Sequence, residues 1–486
     1  MTRPSTFVRF ACCRNTLVKA SILASVFAVA ILFSVISVCG QQRILAITGA
    51  TVIDPVTGKG TDQTTILISG GKIVKVGKDR SIKPPRNAVV YKADGKFVIP
   101  GLWDMHVHAF NNFSPSRSGT DNKDSYFPLF LANGVTGIRD MASDSEDRKL
   151  AGKWRSEMNS GGPGPRVEVG SNIIDGDPPF LPGPVAIKDP NEARAAVRRM
   201  KADGAQYIKI YWMLSPATFD AIADEAKKVG IPIVGHVPFS MSAFAASNRG
   251  LKSIEHLTGT LETCSSKEDE LRAKEWTPEV DKEMKATFDM QKCRRLFSTF
   301  KRNGTFSVPT AVLHRGMLLY DDYGFRTRPA LEYISATEVA EWEASPQLVR
   351  GPDLADRQRD FELLLRVVGA MHEEGAPLLA GTDNNNPFVV PGFDLHDELE
   401  IFVRAGLTPT EALRTATWNP AVFFGKTKEF GTVAAGKAAD LVILTADPRL
   451  DIRNTRKIDA VVSNAVLFDR KELDKMLAKA KSSPRK

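Results

Sequence analysis

Between residues 98 and 428 the chain alternates short apolar runs with longer amphipathic ones, and no other feature limits the fold as much. Candidate strands are "WDMHVH" (103–108), "GVTGIRDM" (134–141), "RVEVGSNIID" (166–175) and "YIKIYW" (207–212). "IPIVGHV" (231–237), "SIEHLTG" (253–259), "TFSVPTAVL" (305–313) and "APLLAGTD" (376–383) follow. Helical stretches such as "DPNEARAAVRRMKADG" and "SPATFDAIADEAKKVG" fill the intervals, opened by Asp or Ser and closed by Gly. Eight strands, each followed by a helix, is the count of a (β/α)8 TIM barrel. An open doubly wound sheet would want a glycine-rich phosphate turn after its first strand, and the sequence has none there. Residues 41–97 and 429–470 instead read as short strands broken by Gly, Asp and Pro turns. They predict one small β-sandwich assembled from both chain ends, flanking an α/β barrel over 98–428.

Polar residues recur at matching places on those strands. His106 and His108 end the first, Lys209 lies in the fourth, His236 ends the fifth, His256 the sixth and Asp383 the eighth. Residues i and i+2 of a strand share a face, so His106 and His108 aim at one point. In a barrel the carboxyl ends of all strands meet at one mouth. Four of the seven histidines therefore converge there, which is the pattern of metal ligands rather than of scattered core histidines. A lysine buried near a dication is pushed toward its neutral form. As a free amine Lys209 can capture carbon dioxide and become a carbamate; a lysine paired with an acid is the alternative.

With "PGLWDMHVH", "GVTGIRDM", "YIKIYW", "VGHV", "SIEHLTG", "AGTD", "GLTPTEALRTATWNPA" and "GTVAAGKAADLVIL" in place, the sequence resembles the amidohydrolase superfamily over residues 44–470. Its likeness is to imidazolonepropionase-like and prolidase-like members. The resemblance implies two divalent metals, zinc first among them. One takes His106, His108 and Asp383, the other His236 and His256, with carbamylated Lys209 between. It implies hydrolysis of an amide or peptide bond in a dipeptide or an N-acyl amino acid, by metal-activated water. Asp383, the sole carboxylate in the set, serves as general base and then general acid. Two other readings stay open: a mononuclear member acting on a cyclic amide or deaminating its substrate, which Lys209 argues against, and a non-catalytic binding barrel, which the complete ligand set argues against.

Substrate contacts are sought at the same mouth in Tyr211, His314 and Arg139, with Arg315 and Arg326 as further partners for a substrate carboxylate. Long segments at 109–127, 175–184 and 314–352 are expected to wall the mouth, with Phe180 and Leu181 as an apolar face. His372 and His396 read as structural.

The ends of the chain carry most of the net charge of +8. Residues 1–40 contain Arg3, Arg9, Arg14 and Lys19 and no acid, and residues 471–486 form a basic tail that reads as a solvated helix end. Without a basic face in between, nucleic acid is excluded as a partner. The basic start followed by "ASILASVFAVAILFSVISVC" predicts a signal peptide cut after Gly40, with an uncleaved membrane anchor at 20–39 as the alternative. Either way the body is exported, periplasmic or extracellular, where a bridge between Cys264 and Cys293 is permitted. A homo-oligomer stays open.

Overall fold

A computed structural model of the protein describes residues 44–110, 123–274 and 277–482. The expected targeting segment 1–40 and most of the first long loop lie outside these residues. No described helix is long and apolar enough to cross a membrane.

Both chain ends do enter one sheet. Strands β1 (Leu45–Ile53), β2 (Gly60–Ser69), β3 (Lys72–Lys78), β4 (Val89–Lys92) and β5 (Phe97–Pro100) come from the amino-terminal side. The central parallel strands then follow: β6 (Leu102–Val107), β7 (Val135–Asp140), β8 (Arg166–Val169), β9 (Ile173–Gly176), β10 (Val185–Ile187), β11 (Ile208–Ile210), β12 (Ile233–Gly235), β13 (Leu251–Glu255) and β14 (Phe306–Val308). From the carboxyl-terminal side come β15 (Leu441–Leu444), β16 (Ile458–Ser463) and β17 (Val466–Asp469). The eight-stranded sheet runs β17-β16-β15-β5-β1-β2-β3, with β4 beside β1. Its own alternating residues, among them Ile47, Ile66, Val98, Ile443 and Val462, form a separate apolar core.

The central strands pair in parallel as two groups, β6-β7-β8 and β10-β9-β11-β12-β13-β14. The expected third strand breaks in two at Gly170–Asn172. There Ser171 N donates to the Tyr207 carbonyl (3.0 Å) and Gln206 N to that of Val169 (3.0 Å). The expected eighth strand forms no ladder. Ser307 N donates to Pro377 O and Leu379 N to Ser307 O, each at 2.9 Å. On the other side Met105 N donates to Ala380 O (2.9 Å) and Asp383 N to His106 O (2.7 Å). The segment thus divides its few bonds between β14 and β6, while Ala380 N turns away to Thr415 O (3.2 Å).

The helical signals hold where capping chemistry is strong. Asp189 and Ser215 cap Pro190–Ala202 and Pro216–Val229 through their side-chain oxygens, each with proline in the first turn, and Gly230 closes the second in a left-handed conformation. The span 314–352, expected to wall the mouth, is largely helical and packs Ile334, Trp342 and Leu348 against Phe388 and Val390. The basic tail is corrected as well: Arg470–Ser482 is a helix whose Leu473 and Ala480 are buried in the main core, so one face docks instead of being solvated.

Cys264 and Cys293 are bonded, with Cα atoms 4.9 Å apart. The bridge pins the segment after β13 to helix Met290–Asn303. Replacing both by serine is expected to lower the free energy of unfolding by ~3 kcal/mol in the chain-entropy picture. Urea unfolding of the two forms checks this, and equal midpoints would show that the bridge constrains nothing.

Candidate metal centre

The residues gathered at the carboxyl ends of the central strands owe their convergence to unusual backbone. His256, Thr310 and Asp383 all have positive φ, at 57°, 46° and 61°. L-residues adopt this region at a cost of about 1 kcal/mol or more each, and such strain collects at functional sites. Gly235, just before His236, is constrained differently: a Cβ there would sit 2.2 Å from the Ile210 carbonyl oxygen. The close approach of β12 to β11 that places His236 therefore requires glycine.

Three imidazoles surround Asp383, and a fourth, that of His236, stands beside one of them. His106 Nε2 lies 3.3 Å and His108 Nε2 2.9 Å from Asp383 Oδ1, and His256 Nδ1 lies 3.7 Å from Oδ2. The rings of His236 and His256 are 5.0 Å apart, edge to face. Ligand atoms of His106, His256 and Asp383 fall within 4.8 Å of one another, so these three are the tightest candidate metal group among the described residues. Lys209 lines the same cavity, 2% exposed.

Electrostatics favour ligation. Burial pushes His106 down to about 4 and His236 and His256 well below the usual histidine range, so their rings are neutral at neutral pH. Burial alone would raise Asp383, but His106, His256 and His108 around it hold its carboxyl well below the usual range. Burial also lowers Lys209 to about 8, against the pull of Glu255 and Asp383. The decisive fit is at His106. Its Nδ1 faces Glu255 Oε2 at 2.8 Å, which places the proton on Nδ1 and leaves a lone pair on Nε2. That Nε2 is buried without a hydrogen-bond partner and faces a carboxylate oxygen. Two acceptors held together in a dry site are what a cation between them would relieve.

The cavity over these groups has a volume of about 1050 Å3. Tyr211 and Trp212 line it and pack on His236, with ring centroids at 4.2 and 4.5 Å, and Phe180 packs on Trp212 from outside. His314 lines it too, its Nε2 3.2 Å from the His256 carbonyl oxygen. Tyr211 and His314 therefore stand where substrate contacts were expected. Arg139 does not. It is fully buried, donates to the Met105 carbonyl (2.5 Å) and to both oxygens of Glu255 (3.0 and 2.8 Å), and is absent from the cavity wall. Arg315 and Arg326 are likewise committed, to Asp397 and Glu343. His396 is buried between Thr455 and the Asn133 carbonyl, and His372 faces Glu411, both outside the cavity.

Two carboxylates that the motif reading passed over stand behind the histidines. Glu255 precedes His256 in "SIEHLTG". Asp104, two residues before His106 and so on the same strand face, accepts from Thr382 N (3.0 Å), Thr382 Oγ1 (2.7 Å) and His106 N (3.2 Å). Strand parity was the signal for Asp104.

The sequence profile of the amidohydrolase family matches residues 97–468. The chain belongs to the amidohydrolase family. The amidohydrolase is 24% identical to ochratoxinase from Aspergillus niger over 462 residues, covering 85% of this chain and 83% of that one. It is 31% identical to imidazolonepropionase from Sphingopyxis alaskensis over 166 residues, 32% of this chain but 39% of that enzyme. It spans only 14% of the dihydroorotase from Pelotomaculum thermopropionicum that it also matches. Among solved structures, bottromycin amidohydrolase superimposes with a TM-score of 0.70 at 25% identity over 91% of each chain. An Xaa-Pro dipeptidase with bound methionine gives 0.64 at 20% identity, covering 88% of this amidohydrolase and all of that chain, a likeness of fold.

Glu398 supports this centre from outside. Its carboxylate accepts from Ala311 N (3.0 Å) and Val312 N (2.8 Å), beside the Thr310 that holds His256. Burial raises it to about 8, against those two hydrogen bonds. Its folded value thus lies above its unfolded value near 4.5. Ionisation is harder in the folded state, so stability falls as pH rises from about 5 to 8. Glu398→Gln is expected to flatten that part of a pH series of unfolding midpoints; an unchanged slope would remove Glu398 as its source.

Proposed function

We propose that the protein is an exported, metal-dependent hydrolase that cleaves an amide or peptide C–N bond in a small N-acyl amino acid or dipeptide. The observation that carries this reading is the buried lone pair of His106 Nε2 facing Asp383 within a ring of neutral imidazoles. The two parallel strand groups and the 376–383 segment bonded to both are read as one (β/α)8 barrel over 98–428. The sheet from residues 41–97 and 429–470 is read as the small β-sandwich beside it. The Cys264–Cys293 bridge supports an oxidising compartment, and with it the reading of residues 1–40 as an export signal.

His106, His108 and Asp383 would hold one divalent zinc, and His236 and His256 a second, with Lys209 as a carbamate between them. Zinc held there supplies Lewis acidity, which lowers the pKa of water and polarises a carbonyl. The protein's own part is positional and acid–base. Tyr211, packed on His236, and His314, beside the His256 carbonyl, line the cavity and would orient the scissile carbonyl. Asp383 takes the proton of the attacking water as its oxygen bonds to the carbonyl carbon. As the C–N bond breaks, Asp383 returns that proton to the leaving nitrogen. The Trp212, Phe180 and Leu181 face excludes water from the apolar part of the substrate.

The dipeptidase and ochratoxinase likenesses support the bond type, whereas the engaged state of Arg139, Arg315 and Arg326 removes the arginine clamp expected for a substrate carboxylate. Metal analysis of protein purified with bicarbonate is expected to give about two zinc ions per chain, the number this donor set can serve. Asp383→Asn is expected to keep a substantial part of the metal and to lose at least ~100-fold in kcat on an N-acyl amino acid, the range of a lost acid–base group. A protein that takes up no zinc, or an Asp383→Asn variant with full turnover, would refute the assignment.

A further inference from the structure

Glu255 is a buried carboxylate in contact with the ring of His106 that the proposed hydrolysis does not use. It lies at the end of β13, fully buried, and reaches across the interior to a histidine 149 residues away in sequence. The two residues it joins belong to different strand groups: His106 to β6-β7-β8 and Glu255 to the six-stranded group. Around its oxygens stand Arg139 Nη2, which donates to both, Ser253 Oγ, which donates to Oε1, and His106 Nδ1, which donates to Oε2. Arg139 is itself fixed. Its Nε donates to the Met105 carbonyl and its Nη1 to Ser253 Oγ (3.1 Å), and its guanidinium lies 4.9 Å from the centre of the Phe423 ring. Every polar contact of this carboxylate is thus on a rigid strand, and one of them is a candidate ligand's second nitrogen.

We infer that Glu255, held by Arg139, is a positioning residue that fixes the tautomer and orientation of His106 for metal binding; the inference rests on the metal-centre reading above. A carboxylate behind an imidazole accepts its Nδ1 proton, so Nε2 presents its lone pair, and it increases the basicity of that lone pair. At His256 and His236 no carboxylate accepts a hydrogen bond from Nδ1. His256 Nδ1 meets a threonine hydroxyl (2.8 Å), and His236 Nδ1 is buried with no hydrogen-bond partner. The direction of His106 is therefore set more firmly than that of His256 or His236. The Arg139 of "GVTGIRDM" acquires a role in the same step: it neutralises the carboxylate and keeps it from rotating away from His106.

The test measures Zn2+ affinity in the absence of any substrate, by competition with a chromophoric chelator. Removing Glu255 alone strands the buried Arg139 charge and can prevent folding. The informative variant is therefore the double change Arg139→Met with Glu255→Gln, which leaves no unpaired charge. It is expected to fold and to bind its tightest Zn2+ 10–100-fold more weakly than the parent. Ser253→Ala, which leaves the ion pair in place, is expected to stay within a few-fold of the parent. His396→Gln, which alters a buried, hydrogen-bonded side chain outside the cavity, is expected to change the unfolding midpoint and leave Zn2+ affinity unchanged. Parental Zn2+ affinity in the double variant would overturn the inference and leave the metal-centre reading intact. A similar loss in His396→Gln would overturn it too, by showing that affinity follows general stability. A parent that binds no Zn2+ would overturn both.

Discussion

The interior is organised around an ion pair that water does not reach. Arg139 and Glu255 are both fully buried, and taking such charges from water is expensive enough that neither tolerates loss of the other; removing one partner of a buried pair costs about 3–5 kcal/mol. The pair is retained where an apolar pair of similar volume would be cheaper. Its position explains why. Through Met105, Ser253 and His106 it ties the paired strands β6 and β7 to β13, which belongs to the other strand group. The backbone supplies the sides of this structure, and the ion pair supplies a brace through its middle.

Above the brace, the site concentrates features that are costly anywhere else in a fold: neutral imidazoles out of water, a lysine pushed toward its free amine, and left-handed backbone at His256, Thr310 and Asp383. Each is destabilising on its own. They persist because the surroundings determine them more than once. Asp383 is held by the His106 carbonyl through its own amide, and the Asn384 and Asn386 side chains bond to His108 N and Asp383 O. The asparagine run after Asp383 is therefore part of the support of the site, with a job that composition alone disguises as loop.

How far the sequence could be read depended on the range of the interaction involved. Strand alternation and capping are local, so the parallel strands, the two capped helices and the side-by-side presentation of His106 and His108 could all be read from a few neighbouring letters. The convergence of His236, His256 and Asp383 followed from a rule about strand ends. Arg139 was misread because its partner lies 116 residues further on, and nothing near it in the sequence distinguishes a buried arginine from a solvated one. Glu255 was missed for the same reason, although a glutamate inside an apolar strand is itself a warning that a charge partner is waiting. The eighth strand failed in another way: its residues are apolar and extended as expected, but their amides are shared among β14, β6 and Thr415, so no ladder forms.

The sheet made from both chain ends has a consequence for how the protein comes into being. Strand β5 lies between β1 and β15, so its neighbour on one side is synthesised shortly before it and its neighbour on the other only after some 340 further residues. Strands β1 to β5 can pair among themselves as they leave the ribosome, but one edge of β5 must wait for the whole central region to be made. Contacts of this separation slow folding and leave strand edges open meanwhile. The sheet therefore closes last at the seam between β5 and β15, and until then the free edge of β5 is the place where a half-made chain is open to pairing with another.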